Sequence, residues 1–304
     1  MSIFTGSGVA VCTPFDSAGK FNPAAYEKLI DFQIKEGTDA IVSCGTTGES
    51  PTLSKDEHIE VVRQAAAFTQ KANEKYNRKV PVIAGAGGND TAKCIEMGRA
   101  LTQAGANALM YVTPYYNKTS QKGLVQHYNA IAAAVDAPIV VYNVASRTSL
   151  NMLPQTLEEI SRLPNIVAMK EASDNIVQIA EMIERCGGSI DMYSGNDNQI
   201  VPVLSLGGKG VISTIGNIAP ATVHNIVMAY LNGDLETSVR LQLGILPLVR
   251  QLFADVNPMP VKAALNMMGF DVGQCRLPLI TIDEDLHKSL KQEMVRYGLL
   301  AGTA

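Results

Sequence analysis

Eight short apolar runs recur along this chain, at 7–12, 39–44, 81–86, 108–113, 138–143, 166–170, 190–195 and 210–214. Each has the length of a buried strand rather than that of a helix. Between them lie stretches of helical periodicity at 24–36, 55–73, 91–104, 121–135, 154–162, 174–186 and 197–206. In the first of these, Leu29, Ile30, Phe32 and Ile34 are apolar while Glu27, Lys28, Asp31, Lys35 and Glu36 are charged. Asp90-Thr91 and Asp174-Asn175 supply capping chemistry near two helix starts. Gly37, Gly105 and Gly187-Gly188 supply stops. Strand and helix alternating through eight cycles imply parallel strands joined by right-handed crossovers. That many units in about 220 residues predict an α/β fold, a closed (β/α)8 TIM barrel. An open doubly wound sheet is the alternative, but it usually carries fewer strands and a phosphate-binding fingerprint at its first turn.

From about Ala221 the strand pattern stops. Stretches 221–231, 235–254, 258–269 and 283–298 read as helices, broken at Asn232-Gly233-Asp234 and Asn257-Pro258. The first completes a catalytic barrel over 1–231. The remainder, 232–304, forms a C-terminal helical appendage too small for a core of its own, expected to pack on the barrel or on a neighbouring subunit.

The net charge of −4 carries no basic excess, so nucleic acid is not an expected partner. No apolar run approaches the length of a membrane span. Met1-Ser2-Ile3-Phe4-Thr5-Gly6 has neither a basic nor a long apolar stretch, so no signal peptide is expected. Cys12, Cys44, Cys94, Cys186 and Cys275 are scattered and form no C-x-x-C pair, which points to reduced thiols in the cytoplasm. His58, His127, His224 and His287 are equally dispersed. No metal and no cofactor is expected.

In a barrel the chemistry sits at the carboxyl ends of the strands and in the loops that follow. Those positions hold Gly45-Thr46-Thr47-Gly48-Glu49-Ser50, then Thr113-Pro114-Tyr115-Tyr116-Asn117, then Tyr142-Asn143 with Ser146-Arg147-Thr148. Further on come Lys170-Glu171, Ser194-Gly195-Asn196-Asp197 and Ile212-Ser213. Lys170 closes the apolar run Ile166-Val167-Ala168-Met169. A lysine there either carries its charge out to water on its long stem or serves as a nucleophile for a carbonyl. Burial would disfavour its ammonium form and bring the amine toward reactivity at neutral pH. Tyr142, at the end of the adjacent strand, is placed to carry protons to and from the nitrogen. Thr46 and Thr47 can turn side-chain and backbone donors onto one carboxylate, and Arg147 can hold a second. Singly, Tyr142 could be a satisfied buried phenol and Thr46-Thr47 a plain turn; their joint placement favours Schiff-base chemistry on a carboxylated carbonyl compound. Gly85-Ala86-Gly87-Gly88 lacks the rest of a phosphate loop and reads as a tight turn. Gly207-Gly208-Lys209-Gly210 reads as a close-packed entry into a strand.

These segments, with Thr13-Pro14-Phe15, Tyr111-Val112, Asn257-Pro258-Met259-Pro260-Val261-Lys262 and Arg276-Leu277-Pro278-Leu279, make the whole chain resemble the dihydrodipicolinate synthase family of the N-acetylneuraminate lyase superfamily. The resemblance implies that pyruvate and L-aspartate 4-semialdehyde condense to 4-hydroxy-tetrahydrodipicolinate, on the diaminopimelate route to lysine. It implies a Schiff base between Lys170 and pyruvate, and a proton relay of Thr46, Tyr142 and Tyr116. Tyr116 would reach in from the partner across a tight dimer, within a homotetramer of such dimers. Thr47 would help hold the pyruvate carboxylate, Arg147 would bind that of the semialdehyde, and Gly195 and Ile212 would line the pyruvate pocket.

Departures from the family pattern are Ala145, where proline is common, and Ser149, where glycine is frequent. In the allosteric cleft of lysine-inhibited members, Ser50, Asn89 and Tyr115 are retained. Lys55 and Lys93 replace a histidine and a glutamate, so weak inhibition by lysine is expected. The alternatives are another pyruvate aldolase of the superfamily, acting on sialic acid or a keto-deoxy sugar, and a non-catalytic barrel that binds a keto acid.

Overall fold

The computed structural model describes residues 2–301. Its centre is a closed barrel of eight parallel strands in sequence order. These are β1 Gly6–Ala10, β2 Ala40–Ser43, β3 Val82–Gly85 and β4 Ala108–Val112, then β5 Ile139–Asn143, β6 Ile166–Glu171, β7 Asp191–Ser194 and β8 Gly210–Ser213. The first helices, α1 Pro23–Lys35, α2 Lys55–Tyr76, α3 Thr91–Gln103 and α4 Gln121–Ala134, each follow one strand. Then come α5 Ala145–Thr148, α6 Pro154–Ile160, α7 Ile176–Cys186, α8 Ile200–Ser205 and α9 Pro220–Leu231. Beyond the barrel lie α10 Leu235–Leu252, α11 Met259–Met267 and α12 Glu284–Tyr297.

The capping residues act as their chemistry requires. Asp90 accepts from the amides of Ala92 and Lys93 at the start of α3, and Asn175 rather than Asp174 caps α7 through the amide of Gln178. Gly37, Gly105 and Gly187 all have positive φ, the left-handed exit that costs glycine least. Two local readings need correction. The stretch 197–206 opens with a 3-10 turn at Asp197–Gln199 and is α-helical only from Ile200. Ser146-Arg147-Thr148 do not form an open loop but the single turn α5, too short to show a period in the sequence.

Side-chain alternation divides the core into two apolar layers. Facing into the barrel are Ala10, Val42, Ile83, Met110, Val140, Ala168, Tyr193 and Ile212. Facing the helices are Val9, Ile41, Leu109, Val141, Met169 and Met192. Phe4 plugs the amino end, its ring stacked on Tyr193 at 4.3 Å. Ile245, Leu248, Leu265 and Leu290 of the C-terminal helices join the outer layer, so these helices share one core with the barrel.

Candidate active site

The parity that buries Val140 and Ala168 inside the barrel also turns Tyr142 and Lys170 inward, because each lies two residues further along its strand. The two are register partners across the β5–β6 pair. Lys170 is 5% exposed and Tyr142 6%, and the amine lies 4.3 Å from the centroid of the phenol ring. Lys170 Nζ makes no hydrogen bond and no ion pair among the described residues. Directly after them, Asn143 and Glu171 also pair in register and face outward. Asn143 Nδ2 donates to both Glu171 oxygens, at 3.0 and 3.2 Å, and the amide of Ser173 donates to Oε1 at 2.7 Å. Burial pushes the Glu171 carboxyl above its usual range, opposed by these hydrogen bonds. This clamp ties together the strand ends that carry the amine and the phenol.

A second buried carboxyl stands across the mouth. Asp197 accepts from Ser213 Oγ at 2.5 Å and from the amides of Thr214 and Ile215 at 3.0 and 2.9 Å. It joins the loop after β7 to the end of β8. Burial raises its pKa, while those donors and the nearby Lys170 charge act against the rise. Gly195 donates to the Glu171 carbonyl at 2.7 Å. A Cβ at Gly195 would stand 2.7 Å from that of Ala172, so no larger residue fits between the ends of β6 and β7. Ile212 is 1% exposed and lies on the inner wall.

The loop after β2 is built for an anion. The amides of Gly48, Glu49 and Ser50 are all satisfied by carbonyls of Gly45 or Thr46. The amides of Thr46 and Thr47 have no protein acceptor among the described residues, so two adjacent N–H groups and two hydroxyls remain free to receive a carboxylate. The loop is anchored at Glu49, which takes a left-handed conformation at φ 54°. Its carboxylate pairs with buried Lys262 at 2.6 Å and accepts from the amide of Arg276 at 2.9 Å.

One cleft of about 500 Å³ runs along this mouth and is lined by Thr46, Ser50, Asn89, Lys93, Tyr115 and Arg147, among others. Arg147 and four of the five residues expected in the allosteric cleft (Ser50, Asn89, Lys93 and Tyr115) therefore share one depression with the threonine loop. Lys55 stands apart from it and pairs with Glu96 on α3. Tyr116 is not brought into it: it is 91% exposed, at φ 70°. A larger depression of about 1100 Å³ lies at the amino ends of the strands, among Arg63, Asn73, Arg78 and Pro138. None of the candidate catalytic, substrate-binding or allosteric residues lines it.

Both departures from the family pattern lie on α5. Ala145 opens the helix, where proline is also well suited. Ser149 follows the helix at φ 55°, in the left-handed region that favours glycine. The glycines of Gly85-Ala86-Gly87-Gly88 serve packing: a Cβ at Gly85 would overlap the Cys44 carbonyl, and one at Gly87 the backbone of Val112. Asn257 belongs to this mouth too, although the sequence reading gave it no role in the site. Its Nδ2 donates to Thr47 Oγ1 at 2.9 Å, and its carbonyl faces Arg147 Nη2 at 3.5 Å. Nothing local in the sequence signals a contact spanning 210 residues.

Residues 3–296 match the Dihydrodipicolinate synthetase family. A curated 4-hydroxy-tetrahydrodipicolinate synthase of Lachnoclostridium phytofermentans is 51% identical over 99% of this chain and 100% of its own. One of Caldicellulosiruptor bescii is 50% identical over 98% of this chain and 99% of its own. Among solved structures, a dihydrodipicolinate synthase from Aquifex aeolicus superposes with a TM-score of 0.93 at 38% identity, covering 98% of this chain and all of that one. One from Cyanidioschyzon merolae, solved with lysine bound, superposes with a TM-score of 0.93 at 36% identity, covering 99% of this chain and 100% of that one.

Proposed function

This chain belongs to the Dihydrodipicolinate synthetase family, and from that premise we propose that it condenses pyruvate with L-aspartate 4-semialdehyde through a Schiff base on Lys170. It is a lyase of lysine biosynthesis, a 4-hydroxy-tetrahydrodipicolinate synthase by activity. The observation that carries the chemical assignment is the amine itself. Lys170 is buried beside a phenol, without an ion pair, at the carboxyl end of a barrel strand.

The steps follow from the groups around it. The free amides and hydroxyls of Thr46 and Thr47 receive the pyruvate carboxylate, and the neutral Lys170 amine attacks the ketone carbon. Water leaves, and the protonated imine draws electrons from C3, so that loss of a C3 proton gives an enamine. Tyr142 carries protons at the nitrogen, with Thr46 and the Tyr116 of a second subunit completing the relay. The enamine carbon attacks the aldehyde of the second substrate, whose carboxylate is held by Arg147. The amine of that substrate then displaces Lys170 and closes the ring.

The exposed Tyr116 supports a homo-oligomer built from tight dimers, a tetramer in the full assembly, because a relay residue this far out of the cleft needs a second copy. Free thiols at Cys12, Cys44, Cys94, Cys186 and Cys275 support a place in the cytoplasm. The test is borohydride reduction with pyruvate, beside a coupled assay with L-aspartate 4-semialdehyde and with sugar-acid aldehydes. Covalent mass on Lys170 and turnover of the semialdehyde are expected. Absence of a trapped adduct, or turnover of only the sugar-derived aldehydes, would refute the assignment.

A further inference from the structure

Thr47 and Asn257 form one buried pair at the mouth of the barrel, contributed by the loop after β2 and the segment before α11. Thr47 is 1% exposed and Asn257 5%. The 2.9 Å bond between them runs from Asn257 Nδ2 to Thr47 Oγ1. A hydroxyl has one hydrogen to give and two lone pairs to offer. The asparagine therefore uses the threonine oxygen as an acceptor, and the threonine hydrogen has no protein acceptor among the described residues. Asn257 also leaves its own Oδ1 buried without a partner. The reverse arrangement, with the threonine donating to the asparagine oxygen, would consume the hydroxyl hydrogen that a carboxylate needs.

We infer that Asn257 is a positioning residue for the pyruvate carboxylate: its amide occupies Thr47 Oγ1 as an acceptor and leaves the hydroxyl hydrogen directed at the substrate. The inference rests on the reading of Thr46-Thr47 as the carboxylate site. Among the described residues the side chain of Asn257 bonds only Thr47. Toward Arg147 the residue offers only its backbone carbonyl, so side-chain changes leave that contact in place.

The test uses the full-length enzyme and two nearly isosteric substitutions, Thr47→Val and Asn257→Asp, with Asn257→Ala beside them. An aspartate would accept the threonine hydrogen and turn it away from pyruvate, whereas an alanine would leave the hydroxyl free to rotate. Asn257→Ala is expected to raise the KM for pyruvate about 3- to 10-fold, the scale of one neutral hydrogen bond, and Asn257→Asp several-fold more. The KM for the semialdehyde should stay within about twofold in Asn257→Ala. The added charge of the aspartate repels pyruvate whatever stands at position 47, so the deciding comparison is made in the Thr47→Val background. There Asn257→Ala should have no further effect, and the penalty of Asn257→Asp should shrink several-fold. Equal penalties with and without the Thr47→Val substitution would overturn the proposal. So would a loss of thermal stability in Asn257→Ala with both KM values unchanged, the mark of a purely structural contact. A Thr47→Val enzyme with unaltered pyruvate KM would remove the carboxylate role of Thr47 and the proposal with it. Loss of trapping in the unaltered enzyme would instead remove the Schiff-base reading, so the two failures are told apart.

Discussion

Two lysines are buried in apolar surroundings, and their partners differ completely. Lys262, on α11, is 2% exposed, pairs with Glu49 at 2.6 Å, donates to the Gln274 carbonyl at 3.1 Å and lies over the Phe15 ring. Lys170 is buried almost as deeply, yet makes no hydrogen bond or ion pair among the described residues: the Tyr142 ring lies beside it, and the Asp197 carboxyl is near enough to feel its charge. In the sequence the two look alike, each a single cation within an apolar run. What separates a structural lysine from a nucleophile is the pairing of the charge rather than its burial. A paired ammonium is stabilised in its charged form and has no free electron pair to offer. Lys170 has no such partner among the described residues.

The widest test of that contrast substitutes each lysine in turn. Lys170→Ala should abolish borohydride trapping of pyruvate while the fold survives, since no ion pair is broken. Lys262→Ala should do the reverse. It strands Glu49 as an unpaired buried charge and costs about 3–5 kcal/mol of stability. Folded Lys262→Ala should still trap pyruvate, and mass spectrometry beside denaturant unfolding reads both outcomes. Adduct persisting in Lys170→Ala would end the distinction.

Tyr116 extends the contrast to a group that one chain leaves unsatisfied at its surface. Tyr116→Phe should lower kcat by about 10- to 1000-fold, the scale of general acid–base catalysis, with little change in pyruvate binding. Mixed dimers of Tyr116→Phe and Lys170→Ala subunits should recover part of the activity. Verified mixed dimers without recovery would count against a site shared between copies.

A smaller effect concerns L-lysine, whose ammonium needs an unpaired acid. Glu49 is buried and committed to Lys262 and Arg276, Glu96 is paired with Lys55, and Asp90, which lines the cleft, caps α3 and faces Lys93 at 3.9 Å. Lys93, exposed on the same cleft, occupies the position where the family resemblance implies a glutamate that would receive the ammonium in lysine-inhibited members. Losing that charge-assisted hydrogen bond costs roughly 1.5–3 kcal/mol, about one to two orders of magnitude in affinity. Half-inhibition in the coupled assay is expected above about 1 mM, and a value well below that would show that an acid is free after all.

The smallest expected change is at Ser149, held at φ 55° without the glycine that suits it. Ser149→Gly should raise stability by about 1 kcal/mol, read from the denaturant midpoint. An unchanged midpoint would mean that the turn after α5 carries no strain.

The legible parts of the molecule are those with a local period. Eight apolar runs and their intervening helices stand out because the strands, whose side chains alternate between two buried faces, are apolar throughout, while burial on the helices repeats about every 3.6 residues. The inward direction of Tyr142 and Lys170 follows from the same alternation. The α5 turn is hidden because four residues complete barely one turn. The Glu171–Asn143 clamp joins residues 28 apart on adjacent strands, and either residue alone reads as an ordinary polar strand end.

From the sequence come the barrel, the order of its strands and the chemical identity of the groups at their ends, since backbone propensity and side-chain alternation act over a few residues. The tertiary structure alone decides how those groups are paired: Lys262 silenced by Glu49, Lys170 left open, Thr47 turned by Asn257 and Tyr116 left outside the cleft. Such pairings join distant loops, 210 residues apart in the case of Thr47 and Asn257. They depend on the position and direction of single donors and acceptors, to which no periodicity of the chain is sensitive.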